Sequence, residues 1–336
     1  MSASTREERF EVAGAVDASV EIDAGRLDVR LHGSPTTTPT AEEGTAGEPT
    51  PAVGTPEVRV EVTADPEGAP GWVRGLAGLV DAAGGLERRF GFDLGMLSGL
   101  GGRPGEDPEE RAARAVAAVT IALEDGRLTV RGPREVALRA VPLVVTVHAP
   151  AGSGVAVRAG AAPVEVTGRP GAVDVRTTGG VSLEEVVTRS AVHCGAGEVA
   201  VRRVAGVLRV KGGAGDVVLD EVAAPVEVVA GSGSITADRV SADLTVRCGS
   251  GDITVRDASA GALDLTTGAG SVRVGVHAGV DASVDLRSAA GTASSDLPVS
   301  RTRPEATDEA PGGAPVLRIR GRAAAGSARV ASAAPA

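Results

Sequence analysis

The chain has 336 residues, room for two average domains, with a net charge of −10, a pI near 5.1 and 1% aromatic residues. That acidic balance argues against nucleic acid or an anionic membrane as partner, since phosphate binding depends on a basic surface. With only Trp72, Phe10, Phe90 and Phe92 as aromatic rings, an interior has to be filled by aliphatic side chains.

Met1 to Phe10 is polar, with Arg6, Glu7, Glu8 and Arg9 where an apolar signal core would stand. No stretch of 18 apolar residues is present to span a membrane. The expected location is therefore cytoplasmic, with a surface or secreted location as the alternative. Residues 1–32 predict N-terminal strands of a solenoid, around Val20/Ile22 and Val29/Leu31. Residues 33–56 are rich in Pro, Thr and Glu, too polar to bury, and predict a disordered loop. Strand alternation returns over 57–65 at Val58, Val60 and Val62.

Residues 66–118 read as a Gly-rich helical insertion or cap. Trp72, Leu76, Leu79 and Ala83 share one helical face, and Leu86, Phe90, Leu94 and Leu97 another. Asp107-Pro108-Glu109-Glu110 is a helix start, with an N-cap, a first-turn proline and acids near the positive end of the dipole, giving a helix over about 108–117. Residues 119–287 are the solenoid core, opening with strands at Val119/Ile121/Leu123, Leu128/Val130 and Leu143/Val145/Val147. Residues 288–314 read as loop, and 315–336 as a C-terminal strand at Leu317/Ile319 with a tail.

The core is specified by arithmetic. Gly179, Gly197, Gly215, Gly233, Gly251 and Gly270 recur at spacings of 18, 18, 18, 18 and 19, and a fixed period is the signature of a solenoid. Counting each glycine as zero, offsets two, four, seven, eleven and thirteen are apolar, with Leu263/Leu265 of the fifth coil following one residue late. Over five coils those 25 positions depart from Val, Ile or Leu only at Ser190, Ala237 and Ala258. Apolar residues two apart have the alternation of a strand with one buried face. A Gly-x-Gly pair falls where the chain must turn. Each coil is thus strand, corner, strand, corner, and seven coils fit between residues 155 and 274. The expected fold is all-β: a parallel β-solenoid with 18-residue coils, two main strands per coil and a small helical insertion.

The segments VPLVVTVHAPAGSGVAVRAG (141–160), GSGSITADRV (231–240) and CGSGDITVRDASAGALDLTTGAGSVRV (248–274) resemble the bacterial "putative adhesin" family of β-strand-repeat proteins, a domain of unknown function. The resemblance covers about residues 140–330. It implies a parallel, right-handed β-helix, and no assigned catalytic residues.

Motifs with chemical potential reduce to architecture. GAGEVA (195–200) imitates a dinucleotide-binding turn, but a strand follows it where phosphate binding needs a helix N-terminus. GGAGDVVLD (212–220) is similar to a calcium-binding nonapeptide, except that Val217 stands at the ligand position. The column after the glycine reads Gly180, Glu198, Asp216, Ser234, Asp252, Ser271; Glu198 and Asp216 are the one adjacent carboxylate pair of the glycosidase kind. His32, His148, His193 and His277 are scattered, and Cys194 and Cys248 stand three repeats apart, roughly 14 Å, beyond disulfide reach. Two free thiols fit a reducing compartment. No catalytic, cofactor-binding or metal-ligating residue and no cofactor is expected.

Trp72, Phe90 and Phe92 are the candidate partner-binding residues, in an insertion that either caps the solenoid end or docks a partner. The leading function is a non-enzymatic binding or adhesion module recognising a protein or glycan. The alternative is a structural scaffold that self-associates through the solenoid ends, comparable with bactofilins; a polysaccharide-active β-helix enzyme comes third.

Overall fold

The computed structural model describes residues 5–33, 56–65, 107–297 and 317–333. Among them no helix is long and apolar enough to cross a membrane. The chain is all-β, a β-solenoid, and divides into two units, Met1–Gly171 and Ala172–Ala336.

The first unit contains β1 (Thr5–Glu11), β2 (Asp17–Ile22), β3 (Gly25–His32), β4 (Glu57–Ala64), α1 (Pro108–Ala117), β5 (Thr120–Glu124), β6 (Arg127–Arg131), α2 (Val136–Arg139), β7 (Leu143–Pro150), β8 (Gly154–Ala159) and β9 (Val164–Thr167). The strands form ladders in the orders β1-β4-β7-β3-β9 and β5-β6-β2-β8. Helix α1 starts where the sequence places it: the Glu109 amide donates to Asp107 Oδ1 at 3.1 Å, with Pro108 in the first turn.

Three features of this unit differ from a simple succession of coils. First, the N-terminal strands do not form the first rung. β2 lies between β6 and β8, and β3 between β7 and β9, all parallel. Pairing follows the match of inward columns, Ala18 and Val20 against Leu128/Val130 on one side and Val155/Val157 on the other. Closing a long connection costs little more than closing a short one, so distance along the chain does not forbid this order. Second, β5 and β6 are an antiparallel hairpin turned by Asp125 (φ 48°) and Gly126 (φ 74°), so the expected core begins with a hairpin and not a coil. Both central residues at positive φ are what a two-residue primed turn requires. Third, Thr5–Glu11 is itself a strand, antiparallel to β4, which is antiparallel to β7. Its charged outward row, with Arg59 Nε 3.0 Å from Glu7 Oε1, covers an otherwise bare edge.

The second unit is the 18-residue repeat. Its strands are β10 (Val173–Thr177), β11 (Val181–Val186), β12 (Ser190–Cys194), β13 (Val199–Val204), β14 (Leu208–Ala214), β15 (Val217–Val222), β16 (Val226–Ser232), β17 (Ile235–Val240), β18 (Leu244–Ser250), β19 (Ile253–Ala258), β20 (Ala262–Ala269) and β21 (Val272–Val276). They are followed by β22 (Ala282–Ala290), β23 (Ala293–Ser295), β24 (Leu317–Ala325) and β25 (Ala328–Ser332). Odd-numbered strands β11 to β21 make one parallel ladder and even-numbered β10 to β20 the other. The register is the one the period demands. Val199 stands opposite Val217, Val217 opposite Ile235, and Ile235 opposite Ile253. The three departures, Ser190, Ala237 and Ala258, are buried in the same columns. Ser190 is satisfied there, accepting the Val173 amide at 3.2 Å.

The C-terminal end corrects the expected loop over 288–314 and the single last strand. β22 continues to Ala290 and β23 follows it, while the chain after residue 316 forms two strands, not one. Moreover β24 lies between β20 and β22, and β25 between β21 and β23. The reason is apolar content. Leu317 and Ile319 of β24 are fully buried between two neighbours, whereas Val284 and Leu286 of the outermost strand β22 are only half-buried.

Corner glycines are fixed by close approach of consecutive coils. Gly233 has φ 114°, and a Cβ there would lie 2.2 Å from the Gly215 carbonyl oxygen; Gly279, at φ 83°, faces open space. Gly233→Ala should therefore lower the unfolding free energy by about 3 kcal/mol, and Gly279→Ala by about 1 kcal/mol. Urea unfolding followed by far-UV circular dichroism compares the two directly.

Candidate functional site

Each coil of the second unit turns past two small columns of side chains, and these hold most of the groups the sequence offers for chemistry. The inner column runs Thr177, Cys194, Gly212, Ala230, Cys248 and Thr267 in continuous register. Every member is small, and a Cβ at Gly212 would meet only the Ala230 methyl, at 3.8 Å. Cys194 Sγ lies 3.0 Å from the Gly179 carbonyl and 3.1 Å from that of Gly197. Cys248 Sγ is 3.5 Å from the Gly233 carbonyl, and Thr267 Oγ1 donates to Gly251 O at 2.9 Å. Burial pushes both thiols up, and the opposing contacts from the Gly197 and Ala196 amides at Cys194, or Ser250 at Cys248, are smaller. A nucleophilic cysteine needs the reverse, a lowered value that populates the thiolate. Cys194 and Cys248 are both free, three strands apart.

The outer column is the one with the carboxylates. Asp216 Oδ1 accepts the amide of Ser234 at 2.7 Å, one coil on. Asp252 Oδ1 accepts the Ser271 amide at 2.8 Å, and its Oδ2 meets Arg273 at 2.9 Å. On the other ladder Asp243 Oδ1 accepts the Ala262 amide at 2.8 Å. These acids are inter-coil caps. The Ser271 amide, and then Arg273, hold the Asp252 carboxyl below the ordinary carboxylate range. Glu198 and Asp216 therefore do not act as an equivalent pair, because Asp216 is engaged by backbone. GAGEVA runs into β13 and GGAGDVVLD into β15, so neither glycine turn opens a helix. Among the described residues no three His, Cys, Asp or Glu side chains converge as a metal-binding group.

The histidines are less scattered than their sequence positions imply. His32 Nε2 and His148 Nδ1 are 3.0 Å apart, with ring centroids at 5.3 Å. Burial first, then the charges of His32 and Arg30, push the His148 pKa down. His277 Nδ1 sits 3.0 Å from Asp257. Trp72, Phe90 and Phe92 lie outside the described residues, as does the Gly-rich stretch around them.

Sequence reasoning missed the charge rows, although their signal is the same period. On the odd-numbered ladder Glu185, Arg203, Glu221, Arg239 and Asp257 stand in one register row, alternating in sign at every step. Arg202 reaches Glu184 at 3.5 Å, and Arg256 reaches Asp238 at 2.9 Å, across consecutive strands. Each such exposed pair is worth at most about 1 kcal/mol. Together they favour one stacking order, since like charges directly opposite are unfavourable.

The repeat, its glycine corners and its small-residue inner column give the chain its relatives. Residues 158–313 match the family model Toastrack DUF4097. The resemblance to adhesin-like β-repeat proteins of unknown function is thereby borne out, and both thiols and all three carboxylate caps fall inside the matched stretch. Similar solved structures include a "putative adhesin" from Bacteroides fragilis, at 11% identity over 97% of this chain and 96% of that one, with a TM-score of 0.34. Another from Parabacteroides distasonis has 11% identity, the same coverage and a TM-score of 0.31. A "putative cell adhesion protein" from Clostridium sporogenes has 10% identity over 98% and 99% of the two chains, with a TM-score of 0.20. No curated protein matches the chain.

Two outcomes check the placement of the corner columns. Non-reducing mass spectrometry should find Cys194 and Cys248 unpaired, and both should alkylate far more slowly in the folded than in the urea-unfolded chain; equal rates contradict the buried placement. Because the folded Asp252 value is depressed, its stabilisation is present above the unfolded value and lost as pH falls through the folded one. Asp252→Ala should thus lower Tm at neutral pH, and the difference from wild type should shrink as the pH is taken below the carboxylate range.

Proposed function

We propose that this chain is a non-enzymatic binding module of the adhesion type, presenting rows of side chains at a fixed spacing to an extended partner, a protein or a glycan. The observation that supports it is the use already made of the reactive groups. Asp216, Asp243 and Asp252 are bonded to the backbone of the next coil, and the thiols are turned into the corners and raised in pKa. What remains outward is regular. Side chains on parallel strands recur about every 4.8 Å along each row. A surface of that kind makes many weak, repeated contacts and has no cleft in which to exclude water from a reaction. On sequence grounds Trp72, Phe90 and Phe92 supply the apolar part of the contact, as buried aromatic anchors often do.

A second reading, end-to-end assembly, has one observation in its favour: among the described residues β22 and β23 pair on one side only. An open parallel edge is a template for another strand.

The labelled chain should bind saturably to at least one member of a panel of bacterial surface polysaccharides and envelope proteins, with no product released from polyuronates. Release of unsaturated or reducing ends would overturn the binding reading in favour of an enzyme. Concentration-dependent filaments in sedimentation velocity would favour the scaffold, whereas a constant sedimentation coefficient would remove it. Fractionation of the source cell separates the cytoplasmic expectation from a surface or secreted one.

A further inference from the structure

The two ladders of the second unit treat charge differently. On the odd-numbered ladder acids and arginines alternate and pair. On the even-numbered ladder one outward row reads, strand by strand, Arg176, His193, Lys211, Val229, Arg247, Thr266, Arg322 and Arg287. This row contains no acid. Its members are exposed except half-buried His193 and Thr266, and His193 Nδ1 is enclosed without a hydrogen-bond partner. Arg176 and Arg287 each meet an aspartate on their own strand, Asp174 at 3.5 Å and Asp285 at 3.3 Å. Among the described residues Lys211, Arg247 and Arg322 form no ion pair.

Stacking cations in one row costs stability, because like charges on neighbouring strands repel. Arg322 beside Arg287 is such a contact. On one flank the row meets a mixed row, where Arg209 pairs with Glu227 at 2.8 Å. On the other flank nothing projects. Gly195, Gly213, Gly231, Gly249 and Gly268 are exposed and in line, and a Cβ on any of the last four would come within 2.2–2.6 Å of the preceding strand's carbonyl. Packing therefore enforces a bare backbone shelf along the cationic row. Nor does the acidity of the whole chain fall here: residues 172–336 carry 17 Lys and Arg against 19 Asp and Glu, a net −2 of the total −10.

We propose that this row and shelf are the docking surface for a linear acidic polysaccharide laid along the stacking direction, its carboxylates meeting Lys211, Arg247 and Arg322. The proposal rests on the binding-module reading and deepens it by naming the partner's chemistry. Cations recur at one or two strand intervals, roughly 5 or 10 Å, over seven intervals or about 34 Å, a spacing that suits a polymer with regularly repeated charges. Guanidinium groups bind carboxylates through paired N–H donors. Thr266, within the row, offers a hydroxyl to a polyhydroxylated chain. Nucleic acid fits less well: residues 172–336 contain no Phe, Trp or Tyr, and single-stranded binding draws on aromatic platforms for base stacking.

The test measures binding of the full chain to fluorescent oligogalacturonate over a salt series, with fully methyl-esterified oligomer, inorganic polyphosphate and poly(dT) as competitors. The expected result is salt-sensitive binding to the free-acid oligomer, lost on esterification and resisted by the other two polymers. The triple variant Lys211→Gln/Arg247→Gln/Arg322→Gln should bind at least tenfold more weakly and reduce the log–log salt slope by about two, at roughly 0.7 per cation removed. Arg202→Gln on the other ladder should bind as wild type, and unchanged Tm values keep folding out of the comparison. Wild-type failure to bind the acid oligomer overturns the proposal, as does full binding by the triple variant. Equal or tighter binding of polyphosphate or poly(dT) overturns the polysaccharide assignment in favour of charge alone or nucleic acid. If the acid oligomer fails but another panel member binds wild type and triple variant equally, this inference falls and the binding-module reading stands; if no panel member binds, both fall.

Discussion

Parallel pairing in strict register between consecutive coils is the constraint on which everything else depends. One coil of 18 residues buries little, and fixing its backbone costs on the order of 1–2 kcal/mol per residue. The return comes only when Val199 lies against Val217 and Val217 against Ile235, each buried side chain contributing about 1.5–3 kcal/mol. Stability is therefore shared between neighbours and does not belong to any single coil. The same register brings the corner of one coil within contact of the next, which is why Gly233 must lack a side chain over the Gly215 carbonyl. It also aligns Asp216 with the Ser234 amide and Asp252 with that of Ser271, so carboxylates become part of the stacking.

Once register is fixed, the outward positions become rows, and a row amplifies whatever the sequence repeats. Glu185, Arg203, Glu221, Arg239 and Asp257 repeat with alternating sign, so the odd-numbered ladder carries a self-neutralising stripe. Lys211, Arg247 and Arg322 recur with one sign, and among the described residues none of the three forms an ion pair. The first pattern stabilises one order of strands. The second is tolerated at a cost, and that asymmetry between two faces of the same coils directs attention to the even-numbered one.

Neither end of the described chain follows the sequential rule. In the first unit β2 and β3 lie one rung inside, between strands that come about a hundred residues later. In the second, β24 and β25 lie inside β22 and β23. In the second unit the strand with the more completely buried apolar set, β24, takes the position paired on both sides. Burial is proportional to apolar area removed from water and is indifferent to chain order, while loop closure grows only logarithmically with length.

Much was legible in advance because a solenoid is nearly one-dimensional: spacing along the chain converts directly into stacking. The period fixed the strands, the inward positions and the separation of Cys194 from Cys248, and the capping residues Asp107-Pro108 marked the helix start. Asp125-Gly126 carried a hairpin signal that a search for coils passed over, and the alternating charge rows were present at the same offset in every repeat. Other facts have no local trace. That His32 meets His148, that the last coil tucks beneath the one before it, and that Asp216 caps an amide 18 residues on are set by pairing between distant segments. The repeat by itself determined which residues face inward, since alternation and glycine spacing are properties of the chain. Which strands become neighbours where the period fails, and which outward side chains therefore share a row, was decided only by tertiary packing, because there competing partners are ranked by buried area and not by position.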